Sequence, residues 1–414
     1  MKFFFPDSQD QIDPGFDFVS EERAPHRVRQ RDDRYAHEAL AHPPFDGILV
    51  SKTIVDGTRQ ATGKYTLAQR HRLYRDGARR FFRLDHVEGV PLQSMGDCGA
   101  FSYVRDDVPP YTPEDVIAFY AECGFDLGVS VDHVILEFNP AADGPASDLG
   151  AEWRRRQYLT LELAAEFRAA CAASNVRFEP VGVAQGWSPR SYAHAVDQLQ
   201  RMGYRRVALG GMVPLKTHEI LACLQAVDDT RQATTQLHLL GISRCDSIGT
   251  FASYGVTSFD STSPFRQAFK DDRDNYYTLE RTYTAIRIPQ VDGNAKLKAR
   301  IRAGRVSQAA ALELEQACLQ RLRAYDAGTS PLLPVLDALR RYDELYDGRT
   351  DRTDAYRELL NDRPWRRCLC GICATAGVDV AVFRGSERNK RRGFHNLFVF
   401  HQQLQRELTT TTAV

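Results

Sequence analysis

The sequence predicts an α/β fold, a (β/α)8 TIM barrel followed by a small C-terminal subdomain. Three observations carry that prediction. Short apolar or β-branched runs alternate with longer amphipathic stretches along most of the chain. Polar or glycine-rich clusters stand at the C-terminal end of one run after another. Beyond residue 361 this alternation gives way to a tight group of cysteines.

The first 44 residues are polar and irregular, densely charged between Glu21 and Arg34, and read as an N-terminal arm wrapping the surface. The barrel is expected over residues 45–360. Its strand-like runs are Gly47 to Val50, Ser94 to Phe101, Leu127 to Val131, Phe178 to Val183, Val207 to Leu209, Leu237 to Ile242 and Val256 to Phe259. Helical spacing fills intervals such as Pro113 to Cys123, Glu152 to Ser174, Pro189 to Met202 and Thr217 to Val227. Such alternation calls for parallel strands joined by helical crossovers, and one further strand would complete a ring. An open doubly wound sheet fits the same count but would gather its ligand residues at one switch point. Here Asp97, Asp132, Gln185, Gly210-Gly211, Ser243 and Asp260 each end a different run, and only a barrel brings all those ends together. Lys296 to Asp362, rich in Arg, Ala, Leu and Glu, predicts helices packed around the barrel. Residues 361–414 hold the cysteines, a strand-like Val378 to Phe383, a basic run and a final amphipathic stretch.

With 43% hydrophobic residues in 414, the chain can bury a large core, which excludes disorder as its overall state. Fifty-four basic residues balance 54 acidic ones, so the simplest signature of a nucleic-acid binder is missing and charge has to be read locally. Between Arg363 and His395 eight Lys or Arg face two acids, a local excess that reads either as a phosphate-contact surface or as a solvated face. The apolar run at Phe3-Phe4-Phe5 is too short for a signal peptide, and no stretch is long enough to span a membrane. A cytoplasmic protein with reduced thiols is expected. Six of the nine cysteines are scattered and read as small buried hydrophobes.

The other three, Cys368, Cys370 and Cys373, fall within six positions and have the chemistry of a tetrahedral zinc site. Gly371 lets the chain turn between them. His395 is the favoured fourth ligand because it opens an apolar run that can return to the core; His401 is the alternative. Four protein ligands leave no open position, so one structural Zn2+ per chain is expected.

A lone aspartate in a loop is usually a cap or turn residue. The contexts here differ. Asp97 lies in Met95-Gly96-Asp97-Cys98-Gly99-Ala100-Phe101, Gln185 precedes Gly186, Gly210 and Gly211 follow Leu209, and Asp260 ends a strand before Ser261-Thr262-Ser263. Carboxylates, an amide and accessible peptide groups suit a flat heterocycle with several donors and acceptors, such as a purine.

In that order along residues 45 to 400 the motifs resemble those of the tRNA-guanine transglycosylase superfamily. Asp97 matches its Asp-(Ser/Cys)-Gly-(Gly/Ala)-Phe motif, Asp132 its base-recognising aspartate, Gln185-Gly186 and Gly210-Gly211 its glutamine-glycine and double-glycine motifs. Asp260 matches its nucleophile, and Cys368, Cys370, Cys373 and His395-Asn396 its zinc signature. The resemblance implies that Asp260 attacks C1′ of a guanosine nucleotide to give a covalent intermediate, with Asp97 as general acid and base. It implies that Asp132, Gln185, Gly210 and Gly211 hold the purine edge. Phe101 or Tyr103 would stack on the ring, unless both are barrel packing. The target nucleotide would be flipped out or single-stranded.

Gly210-Gly211-Met212-Val213-Pro214-Leu215-Lys216 lacks the glutamate that bacterial enzymes taking an aminomethyl-deazaguanine carry after the double glycine, and is similar to the branch that uses preQ0. Lys216 would repel an ammonium. The opening Phe3 to Ser8 and the segment around Arg391 to Asn396 resemble the DNA-modifying branch, and the chain ends at Val414 without the RNA-binding extension of archaeal tRNA enzymes. Exchange of guanine in DNA for preQ0 is therefore expected, with tRNA-guanine exchange and a catalytically inactive nucleic-acid-binding subunit as alternatives. The resemblance further implies an ATPase-like partner protein and a homodimer.

Overall fold

In the computed structural model eight parallel strands close into a barrel in chain order: β1 (Lys2–Pro6), β2 (Gly47–Ser51), β3 (Gln93–Asp97), β4 (Leu127–Val129), β5 (Glu179–Ala184), β6 (Arg206–Leu209), β7 (Gln236–Leu239) and β8 (Val256–Asp260). The structure describes residues 1–58, 61–86, 91–143, 150–270, 273–346 and 350–412. Strands β2 to β8 coincide with the seven runs read from the sequence. The eighth, β1, lies inside the segment expected to be a surface arm, and it corrects that assignment.

β1 is the strand that closes the ring. Phe4 to Pro6 pair with Gly47 to Leu49 of β2, and Lys2 to Phe4 pair with Ser258 to Asp260 of β8. Phe3 and Phe4 are wholly buried and Phe5 nearly so. A parallel strand covered on both faces shows no polar alternation, so three phenylalanines beside a chain terminus carry little strand signal of their own. Inside the ring Phe4 packs with Leu49, Met95, Leu127, Val129, Val181, Val183 and Ala208. Gly47 makes this possible, because a Cβ there would lie 2.6 Å from the Phe4 ring.

The crossover helices start and stop on local signals. Thr112 and Ser188 accept hydrogen bonds from the amides of Asp115 and Ser191, and Pro113 and Pro189 open the helices Pro113–Cys123 and Pro189–Arg201. The first ends at Gly124, whose φ of 64° is the usual left-handed stop. Such caps are why the sequence places these helices to within a residue.

Contacts divide the chain into two compact units, one of Met1–Gln9, Phe45–Thr262 and Leu404–Val414, the other of Asp10–Pro44 and Ser263–Gln403. One change of unit falls at Pro44/Phe45, where the barrel was expected to begin, another falls at Thr262/Ser263, and position 361 lies inside the second unit. The helices predicted after Lys296 exist, as Ala295–Arg302, Gln308–Asp326, Leu332–Tyr346 and Thr353–Asp362, but they belong to the unit that carries the cysteines. Val378 to Phe383 is mostly a 3-10 turn, Gly377–Ala381, and only Val382–Phe383 is strand, paired in parallel with Ile286–Arg287.

The basic run opens the helix Gly385–Thr412, and its arginines point inward. Arg384, Arg388, Arg391 and Arg392 are each 5% exposed or less. Arg384 bridges Glu21 and Glu315, at 2.6 Å each; Arg388 bonds to Glu21 and to Asp379 (2.8 Å); Arg391 bonds to Glu387 (2.7 Å) and the Asp13 carbonyl. Arg392 donates to the Val382 carbonyl (2.9 Å) and to Asn389 (2.7 Å). Burial alone would raise the Glu21 carboxyl, but the Arg384 and Gln290 hydrogen bonds and the Arg388 charge outweigh it and hold it at about 2. This run is therefore the clasp between the segment Asp10–Pro44 and the helix, and the reading of it as a phosphate-contact surface is corrected for these four arginines. Among the described residues no helix is long and apolar enough to cross a membrane.

Closure by β1 makes a specific demand on Phe4. Phe4→Ala should cost about 3–5 kcal/mol in denaturant unfolding, as expected for a large ring removed from a packed interior. Val19→Ala, at a residue 75% exposed, should leave the midpoint unchanged.

Candidate active site and metal centre

Barrel geometry delivers the predicted polar residues to one end. Asp97 is the last residue of β3 and Asp260 the last of β8, while Asp132 and Gln185 follow β4 and β5 within three residues. Each strand runs in the same direction, so these side chains meet although up to 163 positions separate them in sequence.

Asp132 and Gln185 form the most tightly built part. Both are buried, at 2% and 1% exposure. Gln185 Nε2 donates to Asp132 Oδ2 at 2.6 Å, and Gln185 Oε1 accepts from the Ile135 amide at 3.1 Å. The other carboxylate oxygen, Oδ1, accepts from the Cys98 thiol at 3.2 Å. Tyr103 donates to Cys98 Sγ and to the Asp132 carbonyl, at 3.0 and 3.1 Å. Of the two aromatic residues left open by the sequence, Tyr103 is thus a buried support, while Phe101, on the turn Ala100–Tyr103, is 52% exposed.

The double glycine acts first through the space it leaves. A Cβ on Gly210 would sit 2.2 Å from Gln185 Nε2, and one on Gly211, whose φ is 74°, would sit 2.1 Å from the Ile135 carbonyl. Gly210 also gives its amide to the Ala184 carbonyl (3.0 Å) and accepts from the Tyr192 hydroxyl (2.7 Å). Its peptide groups are therefore engaged by the protein, and what it supplies is room for the Gln185 amide.

Asp97 accepts a 2.7 Å hydrogen bond from the Ser51 hydroxyl at the end of β2. Burial, followed by the Asp132 charge, pushes its carboxyl up to about 7; the Ser51 hydroxyl opposes this and the Asp260 charge adds to it. Burial likewise raises Asp132 to about 6, against the pull of the Cys98 and Gln185 hydrogen bonds. A carboxyl near neutrality can both give and take a proton at physiological pH. Asp260, 7% exposed, accepts from the Gly241 amide at 3.1 Å and faces His238 Nε2 at 3.2 Å.

His238 was missed by sequence reasoning, as were Ser51, Cys98 and Gln157, whose side chain holds the Gln185 carbonyl at 2.7 Å. A signal existed for His238. It interrupts the apolar run Leu237-His238-Leu239 in a strand buried throughout that stretch, where an imidazole needs partners.

In the other unit Cys368, Cys370, Cys373 and His395 converge, their ligand atoms all within 4.8 Å of one another. The three sulfurs lie 3.4, 3.6 and 3.3 Å from His395 Nδ1. A tetrahedral ion with bonds of about 2.3 Å to sulfur and about 2.0 Å to nitrogen puts those atoms about 3.5 Å apart, so the four residues fit such an ion. With Nδ1 facing the sulfurs, His395 Nε2 donates to the Tyr277 carbonyl at 2.8 Å, and the Tyr276 ring stacks on the imidazole at 4.2 Å. His395, not His401, completes the set. Asn396 bonds the Tyr277 amide (3.0 Å) and the Asn275 carbonyl (3.1 Å), tying the helix to the short strand Tyr276–Tyr277.

No family model matches the chain. Among curated proteins, the DNA-guanine transglycosylase of Salmonella montevideo is 48% identical over 414 residues, covering 99% of this chain and 98% of that protein.

The raised Asp97 carboxyl has a consequence for stability. Between its ordinary value near 4 and about 7 the folded state holds a proton that the unfolded state releases, so stability falls as pH rises through that window. Asp97→Asn should raise the melting temperature at about pH 8 by several degrees and leave it unchanged near pH 4; coincident melting curves at both pH values would contradict the shift. For the metal centre, elemental analysis should find about one ion per chain, and Cys370→Ala should lose both the ion and thermal stability.

Proposed function

The chain belongs to the DNA-guanine transglycosylases, and we propose that it exchanges guanine in DNA for the 7-deazaguanine base preQ0 through a glycosyl ester on Asp260. What carries this reading is the pairing of Asp260, anchored at the end of β8, with an Asp97 carboxyl near neutrality close enough to sense its charge. In the first half-reaction a carboxylate oxygen of Asp260 bonds to C1′ as the C1′–N9 bond breaks. The electron pair leaves with guanine, and protonated Asp97 supplies the proton that base requires. In the second half the incoming base loses its N9 proton to ionised Asp97, N9 bonds to C1′, and Asp260 is released.

Asp132, Gln185 and the peptide at Gly211 are the groups offered to the purine edge, and Phe101 is the ring offered to its face. An acid-free segment after the double glycine, ending with Lys216 at the exposed start of the helix Thr217–Asp228, favours a base without an ammonium group. Reaching C1′ requires a nucleotide flipped from the duplex or already single-stranded. The Cys3His set is read as a structural zinc centre held by Cys368, Cys370, Cys373 and His395, where zinc would supply a fixed crosslink and no part of the chemistry. An ATPase-like partner and a homodimer, in a cytoplasmic setting, complete the reading by resemblance.

The test is nucleoside analysis by mass spectrometry of cells expressing the protein with a supply of preQ0. Deazaguanine deoxynucleosides should appear in DNA and vanish with Asp260→Ala. Modification confined to tRNA would transfer the activity to RNA, and a wild-type protein that traps no covalent adduct would make it a binding subunit.

A further inference from the structure

We propose that His238 is a positioning residue that ties down one oxygen of Asp260 and leaves the other as the attacking atom. The proposal rests on Asp260 being the nucleophile. A register shift between β7 and β8 at Leu237/His238 sets His238 opposite Ser258, and such irregularities commonly re-aim a side chain beside a site. The imidazole is wholly buried, with the Phe4 ring edge-on to it at 5.9 Å.

Its two nitrogens have different partners. Nδ1 lies 2.9 Å from Ser258 Oγ, and Nε2 lies 3.2 Å from Asp260 Oδ1. An ionised carboxylate only accepts, so Nε2 carries the proton and donates it. The Ser258 hydroxyl, able to donate or accept, then donates to Nδ1, and this settles the neutral imidazole in a single tautomer. The same Asp260 Oδ1 also receives the Gly241 amide at 3.1 Å. Two donors thus converge on Oδ1, while Oδ2 has no hydrogen-bond partner among the described residues.

This asymmetry selects the reacting atom. Two donors withdraw electron density from Oδ1 and hold the carboxylate plane, whereas Oδ2 keeps its lone pairs for C1′. The bond formed is Oδ2–C1′ and the bond broken is C1′–N9, whose electron pair leaves with guanine as Asp97 protonates it. His238 keeps its proton throughout. Oδ1 becomes the carbonyl oxygen of the ester and continues to accept from Nε2–H and from Gly241.

The experiment is single-turnover formation of the covalent adduct on guanine-containing DNA, measured for the full chain alongside KM and melting temperature. His238→Phe keeps the ring volume and removes the Nε2 donor; it should slow adduct formation about ten- to a hundredfold while KM stays within about twofold. His238→Gln offers an amide N–H at similar reach and should recover much of that loss. If His238→Phe fails to fold, Ser258→Ala, which frees the tautomer, should still slow the adduct step. Adduct formation at the wild-type rate in His238→Phe, or in Ser258→Ala where the first cannot be folded, overturns the proposal. So does a Gln variant no faster than Phe. An adduct that persists in Asp260→Ala brings down the nucleophile assignment itself, whereas a dead Asp260→Ala beside an unaffected His238→Phe removes only the role given to His238.

Discussion

Everything in the catalytic unit depends on β1 being inserted between β8 and β2. Seven parallel strands with a gap would have two open edges, and their C-terminal ends would lie along an arc. Closure by Lys2–Pro6 turns the arc into a ring and brings Asp260, on the last strand, round towards Asp97 on the third and Asp132 just after the fourth. The strand is held by backbone pairing on both edges and by apolar burial on both faces. Phe4 fills the interior against Leu49 and Met95, in space that Gly47 leaves open, and its edge also covers His238. A packing residue two positions from the polar Lys2 is therefore in contact with the imidazole that faces Asp260.

Closing the ring also creates an electrostatic problem, because three carboxylates are driven together in partial isolation from water. The protein answers by allocating donors unequally. Asp132 receives one on each oxygen, from Cys98 and Gln185; Asp260 receives two on one oxygen; Asp97 receives the Ser51 hydroxyl and stays near neutrality. Environments that push otherwise identical groups apart are what allow them to take different parts in one reaction. The same crowding costs stability increasingly as pH rises from about 4 to about 7, a cost that the rest of the barrel offsets.

The second unit solves a different problem. Its helices carry many charges, and it turns several inward, where Arg384 and Arg388 share Glu21 and each finds a further acid. Removing one partner would leave a buried charge uncompensated, which makes such a network specific to one arrangement of the chain. The cysteine cluster adds a second fixed point. Its sulfurs meet His395, on whose ring Tyr276 stacks, while the neighbouring Asn396 accepts from the Tyr277 amide.

By itself the sequence determined what is local or periodic. Seven of the eight barrel strands, the helices capped by Thr112 and Ser188, and the spacing of Cys368, Cys370 and Cys373 were all legible, because a cap, a run or a tight turn is written in neighbouring residues. The motif aspartates Asp97, Asp132 and Asp260 were legible by their position at strand ends and by resemblance. Tertiary structure alone decided what depends on distant partners. It placed Phe3-Phe4-Phe5 in the ring rather than on the surface, because a strand buried on both faces has no alternation to read. It converted the basic run after Phe383 from a surface into a clasp, because a local count of charges does not show that Glu21, Glu315 and Asp13 arrive from elsewhere in the chain. And it brought His238 to Asp260, twenty-two positions away, because only the pairing of β7 with β8 puts those two side chains within hydrogen-bonding distance.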